Sequence, residues 1–303
     1  MIKADNLKKR YGNVVAVGGV SFAVEKGETF GLLGPNGAGK TTTIQLLCGL
    51  LKPDGGTVSL DGKTDPSLVE VRSSLGVVPQ ALAIYQELSA RQNLRFFGKM
   101  YGLSGRRLNQ RVDNCLEIAG LEKRSNDRAS KYSGGMKRRL NMVCSFLHEP
   151  PLLLLDEPTV GVDPQSRNLI FDTIEAMKNQ GRTIIYTTHY MEEAQRLCDR
   201  VAILDHGKIL DMDSVDNLIK KHGGPSYIEV KFEKLLNPDS IKQYIDSEKV
   251  QFEESKIRFE TSRPMESLAM LNRSSVRFNT LKVQTANLED VFLNLTGRRL
   301  RDE

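Results

Sequence analysis

Cysteine is scarce in this sequence of 303 residues, which holds four of them and no tryptophan. The four cysteines stand far apart, match no spacing used by metal sites, and each falls in an apolar helical pattern. They are Cys48, Cys115, Cys144 and Cys198. We therefore predict buried core thiols rather than disulfides or metal ligands, and a reducing, cytoplasmic compartment.

Long apolar runs are absent as well. No run approaches the roughly 18 residues that a membrane-spanning helix needs. The first residues, 1–5, lack the apolar region of a signal peptide. No spanning segment is therefore expected in this chain, and the sequence also shows no long internal repeat and no low-complexity tract.

Neither sign of charge dominates, because 43 basic and 38 acidic side chains give a net charge of +5. This mild excess is compatible with nucleic acid, with an anionic membrane surface, or simply with dispersed, solvated Lys and Arg. Charge therefore does not decide the function. The length allows one large domain or two, with ample sequence for a packed core.

A glycine-rich loop with a Lys-Thr pair is the strongest signal in the chain. Residues 29–33 are typical of a buried strand, and residues 43–48 carry no helix breaker. Strand, loop and helix in this order give the motif G-x-x-x-x-G-K-[ST] the context of a phosphate-binding loop. The loop consists of Gly34, Pro35, Asn36, Gly37, Ala38, Gly39, Lys40, Thr41 and Thr42.

The chemistry of this loop follows from its residue types. Glycines let backbone N–H groups turn toward phosphate oxygens, and the helix N-terminus adds its positive dipole end. Lys40 is expected to reach the β and γ phosphates, and the Thr41 hydroxyl to ligate Mg²⁺. The loop therefore predicts a site for a nucleoside triphosphate.

Two carboxylates follow four consecutive leucines at 152–155, a run typical of a strand buried on both faces of a parallel sheet. Asp156 and Glu157 would then stand where open α/β sheets bind ligands. Two surface acids after a strand are the ordinary alternative, but burying both without a cation would be costly. We predict that Asp156 supports Mg²⁺ and that Glu157 is the general base for the attacking water.

Single polar residues end two further predicted strands. His189 follows the strand at 183–188, so it should lie at the same sheet edge as the carboxylates. Gln80 ends the strand that begins at Gly76. A lone histidine or glutamine in such a place is usually structural or solvated, so only the complete set of motifs gives either residue a role.

The pattern turns helical between residues 88 and 147, which indicates a helical subdomain inserted into an α/β core. Ser89 and Gln92 resemble a capping box near its start. Its last helix begins with a serine N-cap and two glycines, Ser133, Gly134 and Gly135. This start is either only a helix cap or a second anion-binding site.

The N-terminal residues alternate short apolar runs with turns. Separate strands are predicted at 14–17 and 21–24, with a turn at Gly18-Gly19. Tyr11 is placed in the first turn. It is either a packing residue or a ring that stacks on an adenine.

A linker is predicted at 220–225, and beyond it the alternating pattern restarts in a small α+β region without a catalytic cluster. The predicted strands there include Ile228, Ile257, Val276 and Leu281, and the predicted helices lie at 267–272 and 288–295. The predicted domains are a nucleotide-binding domain at 1–222 with a helical subdomain at about 81–150, and an accessory domain at 223–303.

Together these motifs resemble those of the ATP-binding cassette (ABC) ATPases, over about residues 1–222. Tyr11 is similar to the aromatic A-loop, Gly34–Thr42 to Walker A, Gln80 to the Q-loop, and Ser133–Met136 to the signature. Leu152–Glu157 is similar to Walker B, Gly161–Asp163 to the D-loop, and His189 to the switch histidine. Seven motifs in family order make this resemblance specific.

The signature departs from the usual Leu-Ser-Gly-Gly-Gln, because Tyr132 and Met136 replace the leucine and the glutamine. The Ser-Gly-Gly core that contacts phosphate is kept. This signature, the stretch Thr188–Ala194, and the tail at 288–293 resemble exporter ATPases of the daunorubicin-resistance and sodium-export type.

The resemblance implies an α/β P-loop fold: a mixed-sheet core with an antiparallel β subdomain, an inserted helical subdomain and a small α+β C-terminal domain. It implies ATP and Mg²⁺ as ligands, with Gln80 near both the metal and the γ-phosphate, and with Asp163 at the nucleotide interface. It also implies that two cassettes, identical or paralogous, pair head to tail. Ser133 and Gly135 of one copy would then cap the γ-phosphate held by the other.

The implied function is the ATP-hydrolysing subunit of an exporter of a drug, ion or other small molecule. Separate membrane subunits would form the path and hold this chain at the inner face of the cell membrane, with no nucleic acid as partner. The alternative is an ABC ATPase that acts on DNA or the ribosome, but the helical insert is too short for long coiled coils and one cassette is present. A small-molecule kinase or a GTPase would not explain Ser133, and no Asn-Lys-x-Asp guanine motif occurs.

Overall fold

The computed structural model describes residues 1–63, 65–232, 245, 249–253, 255–273 and 278–298. The chain forms two compact units, Met1–Val215 and Asp216–Glu303. The division falls before the predicted boundary at 222/223, because a helix at Val215–His222 takes part in contacts of the second unit. The Asn294 amide, for example, donates to the His222 carbonyl at 2.7 Å.

The first unit contains nine strands and seven α-helices within its described residues. The strands are β1 (Ile2–Tyr11), β2 (Val14–Val24), β3 (Thr29–Leu33), β4 (Gly55–Leu60), β5 (Leu75–Val78), β6 (Leu152–Asp156), β7 (Thr183–Thr188), β8 (Arg200–Asp205) and β9 (Lys208–Ser214). The helices are α1 (Lys40–Leu47), α2 (Val69–Arg72), α3 (Ala90–Met100), α4 (Gly105–Ala119), α5 (Gly134–Phe146), α6 (Pro164–Asn179) and α7 (Met191–Leu197).

A six-stranded sheet forms the centre of this unit, in the order β5-β6-β7-β3-β8-β9. The first five strands run parallel, and β9 closes the edge as the antiparallel partner of β8. Every residue of β3, β6 and β7 is buried. This matches the leucine run of β6, since a parallel strand covered on both faces cannot alternate apolar and polar residues.

A smaller antiparallel sheet, β2-β1-β4, packs with the central sheet and α1 around one hydrophobic core. The prediction of two strands at 14–17 and 21–24 was wrong, because β2 runs unbroken from Val14 to Val24. Its register against β1 shifts near Gly18 and Gly19, so the glycines mark an irregularity in the strand instead of a turn.

Helices α3, α4 and α5 form the helical region, within the predicted range of about 81–150. The capping box at Ser89 and Gln92 is confirmed, since each side chain accepts from the backbone N–H of the other. Gly120 ends α4 in the left-handed conformation, as a C-terminal glycine does. Ser133 caps α5 by accepting from the Met136 N–H at 3.3 Å.

The second unit begins within helix α8 (Val215–His222) and contains residues 216–222 of it. It also contains a four-stranded antiparallel sheet. The other elements are β10 (Ser226–Phe232), β11 (Val250–Glu253), β12 (Lys256–Thr261), α9 (Pro264–Asn272), β13 (Phe278–Gln284) and α10 (Leu288–Thr296). The sheet order is β11-β12-β10-β13. Strand β11 was not predicted, and Val276 lies outside the described residues. Within the described ranges, no helix is both long and apolar enough to cross a lipid bilayer.

Candidate functional site

Three neighbouring strands of the central sheet, β6, β7 and β3, end at one edge and bring the predicted polar residues together. The glycine-rich loop follows β3, and Glu157 follows Asp156 at the end of β6. His189 follows β7, which lies between β3 and β6 in the sheet. Parallel strands end on the same side, so residues far apart in sequence meet here. The predicted shared edge of the carboxylates and His189 is confirmed.

At Gly34 and Gly39 the glycine-rich loop passes so close to other backbone that a Cβ would not fit. Gly39 has φ +102°, and a Cβ there would collide with the Ala16 carbonyl oxygen. Gly39 is also the N-cap of α1, and no side chain caps the free N–H groups of that helix. An uncapped helix start behind a glycine loop fits a phosphate group, because such N–H groups point at an anion.

Lys40 lies under this loop and is almost fully buried. Its Nζ donates to the carbonyl oxygens of Gly34 at 2.7 Å and Pro35 at 2.9 Å. The same Nζ is 3.0 Å from Glu157 Oε1. The ammonium group is therefore held at the sheet edge between the loop and a catalytic candidate.

Glu157 is the centre of the cluster. Besides Lys40, its carboxylate accepts from Gln80 Nε2 at 2.9 Å and contacts His189 Nδ1 at 3.2 Å. Its backbone has φ +44°, a conformation rare outside glycine and often found at functional sites. Burial raises the pKa of Glu157, but Lys40 and His189 outweigh burial and lower it overall. Glu157 is therefore an ionised carboxylate at neutral pH, as a base must be.

Asp156 and Thr41 face each other, with Thr41 Oγ1 3.2 Å from Asp156 Oδ1. Burial raises the pKa of Asp156, although hydrogen bonds from Thr187 and Thr41 oppose that effect. A buried carboxylate beside a hydroxyl suits Mg²⁺, which takes few protein oxygens and keeps the substrate's phosphates as further ligands. Gln80, the third residue predicted at the metal, hydrogen-bonds to Glu157 in this structure.

The predicted signature residues lie at the start of α5. Ser133 and Gly134 are exposed, and Gly135 is buried against α6, where a Cβ would collide with Ser166. Asp163 caps α6 by accepting from the Ser166 N–H at 2.9 Å, and this bond lowers the pKa of Asp163. In the described chain, no hydrogen bond or ion pair joins Ser133, Gly134 or Asp163 to the cluster around Glu157.

Tyr11 ends β1 and pairs with Val14 across the hairpin, so its placement in the turn itself was wrong. The turn is formed by the next two residues, 12–13. Tyr11 is 48% exposed, and the stacking of its ring on a base stays a prediction.

Two further site residues were not found from the sequence. Thr187 Oγ1 donates to Asp156 Oδ1 at 2.7 Å and accepts from the Glu157 N–H at 3.0 Å. Glu193 on α7 is buried, and hydroxyl groups of Thr159, Tyr186 and Thr188 donate to it at 2.7–2.8 Å. The pair of threonines before His189 was a usable signal, whereas a lone glutamate in a helix usually faces solvent.

Comparisons with known proteins identify the family of the chain. The profile of the family described as ABC transporter matches residues 17–160. The linearmycin resistance ATP-binding protein LnrL of Bacillus subtilis (strain 168) is 40% identical over 100% of both chains. The Nod factor export ATP-binding protein I of Paraburkholderia xenovorans (strain LB400) is also 40% identical, over 99% of this chain and 98% of the relative.

Solved structures give the same fold. A dimeric ATP-binding cassette in a post-hydrolysis state bound to ADP and Pi has a TM-score of 0.65 and 26% identity, covering 71% of this chain and 98% of the other. An ATP-binding subunit of an ABC transporter has a TM-score of 0.67 and 32% identity, covering 74% and 93%. The P-loop cassette fold predicted from the motifs is confirmed. The chain thus belongs to the ABC transporter family and is one of its ATP-binding, ATP-hydrolysing cassettes.

Proposed function

We propose that this chain is the ATPase subunit of an exporter, working with separate membrane subunits. The observation that carries the proposal is the extent of the similarity to ATP-binding proteins of resistance and export. It reaches across the whole chain, through the second unit as well as the cassette. A cassette ATPase with a different task would be expected to share the cassette alone.

The residues at the sheet edge can carry out hydrolysis in a defined order. When ATP enters the loop, Lys40 leaves its ion pair with Glu157 and binds the β and γ phosphates. The released Glu157 carboxylate then accepts a proton from the attacking water, which Gln80 and His189 help to orient. Thr41 and Asp156 would hold Mg²⁺, which neutralises charge on the phosphates.

A second copy of the cassette completes the site. Ser133 and Gly134 are exposed on the surface of one copy, as an anion site must be if it serves a partner. Head-to-tail pairing brings this segment and the nearby Asp163 onto ATP held by the other copy. ATP then favours the closed dimer, and hydrolysis reopens it, because the nucleotide binds the closed state better.

The membrane subunits would bind the cassette at the inner face of the cell membrane. One of the solved structures with this fold, from Clostridium perfringens, is described as part of an ABC transporter complex. The alternative, action on DNA or the ribosome, is disfavoured on two grounds. The longest α-helix of the described insert, α4, has 15 residues, too few for the long coiled coils of the DNA-acting type. The ribosome-acting type carries two cassettes, and this sequence carries the motifs of one.

The proposal is tested by purifying the affinity-tagged chain from detergent-solubilised membranes of its own cells. We expect an integral membrane protein to co-purify in stoichiometric amount and to raise ATP turnover when both are reconstituted in vesicles. Recovery with ribosomes or DNA, and without a membrane protein, would contradict the exporter assignment and favour the alternative.

A further inference from the structure

Arg138 lies on α5, one turn beyond the exposed residues Ser133 and Gly134, and only 8% of it is exposed. Its Nη1 donates to the Gln80 carbonyl at 2.6 Å and more weakly to the preceding carbonyl, of Pro79, at 3.3 Å. A single side chain therefore joins the helix of the signature to the backbone of the Q-loop.

The same guanidinium group also contacts a second loop. Nη2 of Arg138 contacts the carbonyl oxygen of Val160 at 3.4 Å, in the loop that follows Glu157. The planar fork of an arginine presents several donors in a rigid geometry, whereas a lysine ammonium is a single point charge on a flexible stem. Arg138 thus contacts both the Q-loop at Gln80 and the loop that follows Glu157.

The energetic setting of Arg138 is unusual for a residue with a purely structural role. Among the described residues, no carboxylate forms an ion pair with it, and burial lowers its pKa although Asp156 opposes that effect. A buried cation held only by carbonyl groups gives weak net stabilisation, because its desolvation is costly. A neutral side chain would hold a static α5 in place at less cost.

Gln80 is held at both ends by this arrangement. Its side-chain amide donates to Glu157 Oε2 at 2.9 Å, and its carbonyl accepts from Arg138. A second contact on the same helix face supports the link, since Asn141 accepts from the Ala83 N–H at 2.8 Å. A continuous path of contacts therefore runs from Glu157 through Gln80 to α5.

We propose that Arg138 is a positioning residue that ties the signature segment, Ser133–Met136, to the state of Gln80. When Gln80 leaves Glu157, its carbonyl carries Arg138 with it, and α5 follows as a rigid helix. The nucleotide site thereby sets the placement of the surface that meets the second copy. The inference rests on the proposed roles of Gln80 and Glu157.

The first test measures steady-state ATP hydrolysis and nucleotide affinity on the full chain. Arg138→Gln is expected to lower kcat about 10- to 100-fold, as a displaced reacting geometry does, with the Kd for ATP changed by less than about twofold. Lys137→Gln is the matched control: Lys137 is also cationic, precedes Arg138 on α5, and its Nζ donates to Gln86 at 3.1 Å. The control should keep the wild-type kcat.

A double-mutant cycle with Gln80→Ala separates positioning from general destabilisation. Because Arg138 acts through Gln80, the double variant should be about as slow as the slower single variant, whereas independent effects would multiply. Arg138→Lys, which keeps the charge and one donor, should recover part of kcat. It also serves as the variant to measure if Arg138→Gln does not fold.

An unchanged kcat in Arg138→Gln, or multiplying effects in the cycle, overturns the inference. A loss of ATP affinity equal to the loss of kcat overturns it too, since that indicates damage to the nucleotide site itself. These failures differ from a failure of the proposed function. That failure would appear as a tagged wild-type chain that is recovered with ribosomes or DNA and without an integral membrane protein.

Discussion

Lys40 Nζ lies 3.0 Å from Glu157 Oε1, and both side chains are 4% exposed. The two charges that the family motifs assign to phosphate binding and to catalysis are thus paired with each other. Neither group is solvated, so each needs the other until a phosphate takes the place of the carboxylate. We therefore expect the pair to link nucleotide entry to release of Glu157, the proposed catalytic base.

Lys40→Ala should weaken ATP binding, because a charge-assisted contact to phosphate is lost. A hydrogen bond to a charged group contributes about 1.5–3 kcal/mol, which corresponds to roughly a 10- to 150-fold rise in Kd. Fluorescent-nucleotide titration measures this change. Lys63→Ala is the control, since Lys63 forms an exposed ion pair with Glu70 at 2.8 Å. An ATP affinity unchanged by Lys40→Ala would contradict the role of the loop.

The same ion pair can be tested without nucleotide. Lys40→Ala leaves the Glu157 carboxylate buried without its cation, and breaking a buried pair typically costs about 3–5 kcal/mol. We expect a lower Tm by calorimetry and partial recovery when Glu157→Gln is added, because the unpaired charge is then removed. Additive losses in the double variant would show that the two groups do not depend on each other.

Asp156→Asn should raise the free energy of unfolding of the ligand-free chain. It also removes a carboxylate that is proposed to hold Mg²⁺. Burial disfavours the ionised carboxylate, and an asparagine oxygen can still accept from Thr41 and Thr187. A gain of about 1 kcal/mol corresponds to roughly 2–4 °C in Tm for a domain of this size. Asp113→Asn, which removes an exposed partner of Arg91, should change little. A lower Tm for Asp156→Asn would contradict this account of the buried charge.

Glu193→Gln should slow ATP hydrolysis without changing the affinity for ATP. Three hydroxyl groups donate to the Glu193 carboxylate, and an amide has one oxygen to offer, so at least one donor is left unsatisfied. Thr159, beyond Glu157, donates to Oε1, whereas Thr188, before His189, donates to Oε2, so the amide nitrogen replaces the acceptor of one or the other. We expect kcat to fall about tenfold or more with an unchanged Kd. Glu192→Gln, exposed on the same helix, is the control, and equal kinetics in both variants would refute the role of Glu193 in holding Thr159 and Thr188.

The sequence predicts the residues of the site that belong to a local motif or follow a strand, and it does not predict those held by contacts between different elements. The loop at Gly34–Thr42 could be predicted because its chemistry lies in nine consecutive residues. Glu157 and His189 could be placed at one edge because each follows a strand of a parallel sheet. Arg138 and Glu193 could not, since their partners lie on other elements and charged helix residues usually face water. The turn predicted at Gly18 and Gly19 was wrong because glycine is typical both of turns and of irregularities within a strand.

The head-to-tail dimer is the central claim, and light scattering of Glu157→Gln tests it most directly. With MgATP this variant should pass from 33.9 kDa to twice that mass and stay there, because the ATP that joins the copies is barely hydrolysed. Adding Ser133→Arg should return it to the monomer with ATP still bound, while Ser73→Arg at another exposed serine should not. A Glu157→Gln chain that stays monomeric at saturating MgATP, or a dimer indifferent to Ser133→Arg, would contradict the claim.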